Sequence, residues 1–328
     1  MATINPRPAG GKTRYQATVR RRGFPPRSKT FNRKRDAERW AHQVETDMER
    51  GTFVDRSEGN TTLLTKAIDR YMREVTSGKK GWQQEMQRLG AIQRKAPFAR
   101  KAIALVTPTE IAAWRDARLE TCASNTVRND LVVLSSVYQH AMKEWRMVDA
   151  NPVRAIKWPP PGKARKRRLR EGEEEKLLAA ADPQEAAFIK LLLGTAMRFS
   201  EAASITSDCL RDGYIHLDET KNGDERDVPL SERVLEALRG CPVQIKSGRL
   251  FPWSRFQWHY RFSRICKEAG IEGLRTHDLR HEGVSRLQEL GLDVFEIAAV
   301  SGHKTLSQLS RYTHPKVAAL KKMLDAAG

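Results

Sequence analysis

The first 35 residues of this chain carry 11 basic side chains and no Asp or Glu at all. A segment so one-sided does not neutralise itself, and the partner it calls for is a polyanion. Cysteine is scarce as well. Cys122, Cys209, Cys241 and Cys266 are the only four in 328 residues, and their spacing fits neither a disulfide framework nor a metal-ligand set, which excludes a stapled secreted domain. No apolar run approaches the roughly 20 residues a membrane span needs, and Arg7, Lys12 and Arg14 are followed by no apolar stretch of a secretory signal. The expected setting is the cytoplasm, with free thiols and no membrane partner.

What is present is positive charge, unevenly spread. The formal net charge is +19, and a chain of this length is expected to form two or three domains. Residues 1–56 contribute +8, residues 57–153 +5, the short segment 154–170 another +8, and residues 171–328, nearly half of the chain, contribute −2. A basic front joined to a near-neutral rear suggests that the front supplies phosphate affinity while the rear does something local to a few groups.

The periodicities agree with these boundaries. Alternation over 15–20 and 28–31, with a turn at 23–26, predicts a small antiparallel sheet, followed by a helix over 36–50 with Ala37, Trp40, Ala41, Val44 and Met48 on one face. Arg20, Arg21 and Arg22 sit at the end of a strand and suit a DNA groove or a solvated edge. Helices are expected over 65–75, 82–94, 108–120 and 125–145, with Thr107 and Ser124 as caps and Pro108 at the first helical position. Asn151-Pro152 closes this bundle. A proline-rich, cationic connector follows, in which Lys163, Arg165, Lys166, Arg167 and Arg168 are placed to lie along a phosphate backbone. Beyond it, helices are expected over 173–181, 184–194 and from 200, a β-hairpin over 213–230 with its turn at 221–224, and helices again from 231 with breaks at Gly240, Gly270, Gly291 and Gly302. The expected fold class is therefore multidomain and mainly α. A small N-terminal sheet plus helix leads into a helical bundle, and a mostly α domain with a small antiparallel sheet (α+β) completes the chain.

Familiar motifs fall away on inspection. Gly10-Gly11-Lys12-Thr13 has Pro6 where a phosphate-binding loop has its first glycine, and no buried strand precedes it. His277 and His281, at i and i+4, have Arg280 between them and no third ligand in view, so no metal is expected. No G-x-S-x-G elbow or dinucleotide glycine fingerprint is present. What remains are basic and nucleophilic groups at element ends: Arg198, Lys221, His277, Arg280, His303 and Tyr312.

Together these groups resemble the tyrosine recombinase, or phage integrase, family. Thr195-Ala196-Met197-Arg198-Phe199-Ser200-Glu201 is similar to the family's first-arginine segment, and Thr220-Lys221-Asn222-Gly223 to its lysine hairpin. Thr276-His277-Asp278-Leu279-Arg280-His281 fits the H-x-x-R box, Ser301-Gly302-His303 the second histidine, and Ser310-Arg311-Tyr312-Thr313-His314 the nucleophile segment. Residues 57–153 resemble the family's core-binding domain, residues 1–56 the arm-binding domain of lambda-type integrases, and residues 171–328 the catalytic domain, with 154–170 as linker. Ala196 stands where glycine is common, and Glu282 where threonine is.

The resemblance implies the following roles. Tyr312 attacks the scissile phosphate to give a 3′-phosphotyrosyl link. Arg198, Arg280 and His303 hold the transition-state charge, His277 acts as base, Lys221 protonates the leaving 5′-oxygen, and Glu201 orients Arg198. It also implies action on double-stranded DNA attachment sites as a homo-tetramer, without metal or ATP, assisted by a host DNA-bending protein and an excision directionality factor. A type IB topoisomerase-like relaxing enzyme and a non-catalytic DNA-binding regulator are the alternative expectations.

Overall fold

The computed structural model describes residues 2–9, 12–51, 57–163, 165, 167–218, 225–242, 248–305, 309 and 325. The chain divides into two compact units, Met1–Lys163 and Ala164–Gly328.

The first unit opens with an antiparallel sheet of three strands, β1 (Ala2–Ala9), β2 (Lys12–Val19) and β3 (Arg27–Phe31), in that order, and the helix α1 (Lys34–Glu49). Ala17 and Val19 on one face of β2 meet Ala37, Ala41, Val44 and Met48 of α1, so a period of two and a period of 3.6 share one small core. Alternation does not predict β1, because Pro6 and Pro8 interrupt it. They are tolerated because β1 is an edge strand, and prolines two residues apart can both turn the side without an N–H away from β2.

A helical bundle follows: α2 (Ser57–Thr61), α3 (Leu64–Glu74), α4 (Trp82–Lys95), α5 (Pro108–Thr121) and α6 (Ser124–Lys143). The four longer helices coincide with the expected ones to within two residues at each end, and α2 is additional. Thr107 caps α5 as expected. Its Oγ1 accepts from the Glu110 amide at 3.3 Å while Glu110 Oε2 accepts from the Thr107 amide at 3.0 Å. Ser124 does not cap α6: Ala123 holds that position, Ser124 begins the helix, and its hydroxyl donates to the Pro160 carbonyl. Residues 157–163 lie extended along the bundle, and a proline run with carbonyls but no amide donors needs just such partners. Arg115 donates to the Lys157 carbonyl, Arg128 Nη1 to the Pro159 carbonyl at 2.6 Å, and the Gly162 amide to Asn125 Oδ1 at 2.8 Å.

The second unit contains α7 (Glu173–Ala180), α8 (Pro183–Thr195), α9 (Phe199–Ala202), the strands β4 (Leu210–Arg211), β5 (Tyr214–Leu217) and β6 (Arg226–Pro229), then α10 (Glu232–Arg239), α11 (Arg255–Glu268), α12 (Thr276–Glu289) and α13 (Val294–Ser301). The expected hairpin is β5 and β6, and the two-residue β4 adds a third strand. Because α8 is apolar nearly all round, it forms the centre, packed against α10 and α12, with Phe188 ringed by Phe251, Trp253 and Trp258. The four cysteines are free thiols, and burial raises that of Cys266 to about 11.

Candidate active site

At the C-terminal end of α8 the chain reverses through Ala196, which caps the helix in the left-handed region at φ 53° and ψ 24°. This is the backbone shape that makes glycine common at such a position. Ala196 is fully buried beside Gly283 of α12, where an added Cβ would lie 2.7 Å from the Leu193 carbonyl oxygen and 3.1 Å from the Ala196 Cα. Two residues on, Arg198 returns to extended geometry as the residue before α9.

Arg280 projects from α12 and is only 4 % exposed. Its Nη1 donates to the Ala196 carbonyl at 2.6 Å and to the Ser301 carbonyl at 2.9 Å, and its Nη2 lies 3.1 Å from His303 Nε2. Arg198 Nη2 donates to the Gly302 carbonyl at 2.7 Å. Three consecutive residues at the end of α13 thus gather both arginines and the histidine. Gly302 turns the chain there at φ 70°, and the Ser301 hydroxyl fixes the imidazole, its Oγ 2.6 Å from His303 Nδ1. Two guanidiniums gathered beside an imidazole on one turn form a cationic cluster suited to a tetrahedral or trigonal-bipyramidal oxyanion, phosphate above all.

His277 is exposed in the first turn of α12, with its ring edge-on to His281 at 4.7 Å, and it shares a helix face with Arg280. Lys221 and Tyr312 lie outside the described residues, as do the hairpin turn and nearly all of the chain after 305. Leu309, which is described, packs with Ala196, Val284 and Ile297.

Glu201 is 5 % exposed and accepts three bonds. Arg198 Nη1 reaches its Oε1 at 2.7 Å, and the Arg198 amide (3.1 Å) and Arg226 Nη2 (2.8 Å) reach its Oε2. Burial alone raises its pKa, but the hydrogen bonds of Arg226 and Arg198 outweigh this and hold the carboxyl below its ordinary value. Arg226 is the site residue that sequence reading passes over. Its one signal was a basic side chain two residues past the hairpin turn in a domain of negative net charge.

The residues expected to grip DNA fall into two groups. Arg20, Arg21, Arg22 and Lys163 are exposed, with Arg21 paired to Glu49 at 3.0 Å, whereas Lys166 lies outside the described residues. Arg165, Arg167 and Arg168, two of them exposed, each pair with a buried carboxylate of their own unit, and Arg168 also with the exposed Glu289. Arg165 forks onto Asp278 (3.2 and 2.9 Å), Arg167 reaches Glu173 at 2.6 Å, and Arg168 spans Glu282 (3.0 and 3.1 Å) and Glu289 (2.5 Å). This accounts for Glu282 in place of threonine. Burial raises its pKa, and Arg168 and Arg286 more than reverse the shift.

Residues 167–318 match the phage integrase family. The shufflon-specific DNA recombinase of Escherichia coli is 38% identical over 277 residues, which cover 80% of this chain and 72% of that protein. A putative integrase/recombinase of Haemophilus influenzae is 32% identical over 328 residues, covering 93% of this chain and 86% of its own. Among solved structures, a lambda integrase dimer bound to a COC′ core site superposes with a TM-score of 0.66 at 22% identity, covering 94% of each chain. A lambda integrase tetramer bound to a Holliday junction gives 0.64 at 21% identity, over 88% of this chain and 93% of that one. No described helix is long and apolar enough to cross a membrane.

Proposed function

The chain belongs to the phage integrase family of tyrosine recombinases and is a DNA strand-transferase, and we propose that it is the site-specific recombinase of a phage or genomic island, integrating and excising that element. The observation that carries the proposal is the gathering of Arg198, Arg280 and His303 on the Ser301–Gly302–His303 turn.

In this reading Tyr312 attacks the scissile phosphate, forms a 3′-phosphotyrosyl ester and releases a 5′-hydroxyl, and the 5′-hydroxyl of a partner strand reverses the step. A phenol of pKa ≈ 10 is mostly protonated at neutral pH, so His277 takes its proton. Arg198 and Arg280 match the non-bridging oxygens with planar forks, and His303 adds a third donor. Removing one such donor costs ~10²-fold to 10³-fold in rate. Lys221 protonates the leaving 5′-oxygen. One phosphodiester is exchanged for another at nearly equal energy, so the reaction calls for neither ATP nor a metal.

The substrate is a pair of double-stranded DNA attachment sites held by a homo-tetramer in the bacterial cytoplasm, on the nucleoid. The first unit, with exposed Arg20, Arg21, Arg22 and Lys163, supplies most of the phosphate affinity. Residues 1–56 act as an arm-binding module, 57–153 as the core-binding module and 171–328 as the catalytic domain, and a host DNA-bending protein and an excision directionality factor set the direction. On a nicked attachment-site duplex, the wild-type protein is expected to form an SDS-resistant protein–DNA adduct and Tyr312→Phe none. Equal behaviour of the two proteins overturns the nucleophile assignment.

A further inference from the structure

Glu201 is more heavily engaged than a residue that only orients its neighbour needs to be. Beyond the two bonds from Arg198, its carboxylate takes a third from Arg226, the first residue of β6. A carboxylate this deeply buried, with one arginine for a partner, would either leave charge uncompensated or hold that arginine against itself. A second cation relieves the competition: Arg226 carries part of the counter-charge, so Glu201 can orient Arg198 without monopolising its fork. Arg226 is itself largely covered, with 13 % of its side chain exposed.

Arg226 touches the site a second time. Its guanidinium lies where a side chain on Gly302 would stand, since an added Cβ there would be 2.6 Å from Nη1 and 2.7 Å from Cζ. The Gly302 carbonyl is the acceptor that holds Arg198 Nη2. The Glu201 carboxylate and the Gly302 residue whose carbonyl holds Arg198 therefore both lie beside one guanidinium. That guanidinium belongs to the strand leaving the hairpin, and α13 packs on the same strand.

We infer that Arg226 is a positioning residue for DNA cleavage, which aims the Arg198 fork by neutralising Glu201 on one side and backing the Gly302 turn on the other. The inference rests on the recombinase reading above. It also explains why the position calls for arginine in particular: a lysine would preserve the charge but could not lie flat under Gly302 while donating to Glu201.

The test is single-turnover cleavage of a nicked attachment-site duplex by the full-length protein, with rate constant, burst amplitude and half-saturating DNA concentration measured separately. Arg226→Lys is expected to lower the rate constant roughly 10-fold to 100-fold, the effect of misplacing a reacting group by a fraction of an ångström to 1 Å. Amplitude and half-saturation are expected to stay at the wild-type level. A residue needed only for folding would lower amplitude and leave the rate constant of the surviving molecules unchanged, and that result overturns the inference. Combined with Arg198→Lys, the substitution is expected to add less than 3-fold (roughly), because both act through one guanidinium, whereas fully multiplicative losses overturn it. Should Arg226→Lys fold poorly, Glu201→Gln/Arg226→Gln removes the charged pair together. The same slow rate constant supports the inference, and a wild-type rate overturns it. Wild type in parallel separates the two levels: if it forms no adduct, the recombinase reading fails and this inference with it.

Discussion

Arg198 and Arg280 are aimed largely by main-chain oxygens, those of Gly302, Ala196 and Ser301, and this makes the turns around them as important as the arginines. Ala196 shows the balance of effects. Relief of its left-handed strain by glycine is worth about 1 kcal/mol, and loss of its buried methyl costs about 0.8 kcal/mol. Ala196→Gly is therefore expected to leave the thermal midpoint nearly unchanged. Ala196→Val adds β-branched strain and overpacking against Gly283, for a loss of about 2 to 4 kcal/mol by denaturant titration. Glu201 was legible from its place one turn after Arg198. Arg226 was not, because its partner stands 25 residues away across a hairpin, and no local period records such a contact.

Helices α8 and α12 carry or abut most of the site, and they meet at Gly283. An added Cβ there would strike the backbone of Leu193 and Ala196, not the tip of a flexible side chain. Gly283→Ala is expected to push the helices apart, cost about 1 to 3 kcal/mol and slow cleavage, because Arg280 lies one turn away on the displaced helix. Thermal melts and adduct formation check the two halves of that prediction. The long helices were legible in the sequence through their apolar spacing, as over residues 127–141 of α6, or through a clear terminus, as with Thr107-Pro108 before α5. The failures were short or exceptional elements. Pro6 and Pro8 hide β1, whose edge position excuses them, and α2 and β4 are too short for any period to emerge. The sequence also placed Lys221 and Tyr312, which lie outside the described residues.

Across the whole molecule, positive charge stands in two settings that composition alone merges. Arg165, Arg167 and Arg168 of the linker each pair with a buried carboxylate, whereas Arg20, Arg21 and Arg22 beside the N-terminal sheet are exposed, with Arg21 paired to the exposed Glu49. Replacing three phosphate contacts lowers the salt slope of DNA binding by about 0.9 each. Arg165→Gln/Arg167→Gln/Arg168→Gln is expected to lower it by far less, while reducing the thermal midpoint. Measuring binding between low and high salt, alongside a melt, separates the two roles. Acid probes the same carboxylates. Glu173, Glu201 and Glu282 have folded pKa values below the ordinary 4.5, so the folded state binds fewer protons, and the stability they confer is complete above that value and lost progressively as pH falls from it through the lower folded values. The melting temperature is expected to hold from neutrality to about pH 5 and fall below about 4.5, less steeply in Glu282→Gln. Ionic strength then becomes a selective reagent. Where the surface cations hold DNA as proposed, a strong brine wash is expected to strip them from uncleaved duplex while scarcely loosening guanidiniums seated on buried acids, so the protein comes away with those pairs still assembled.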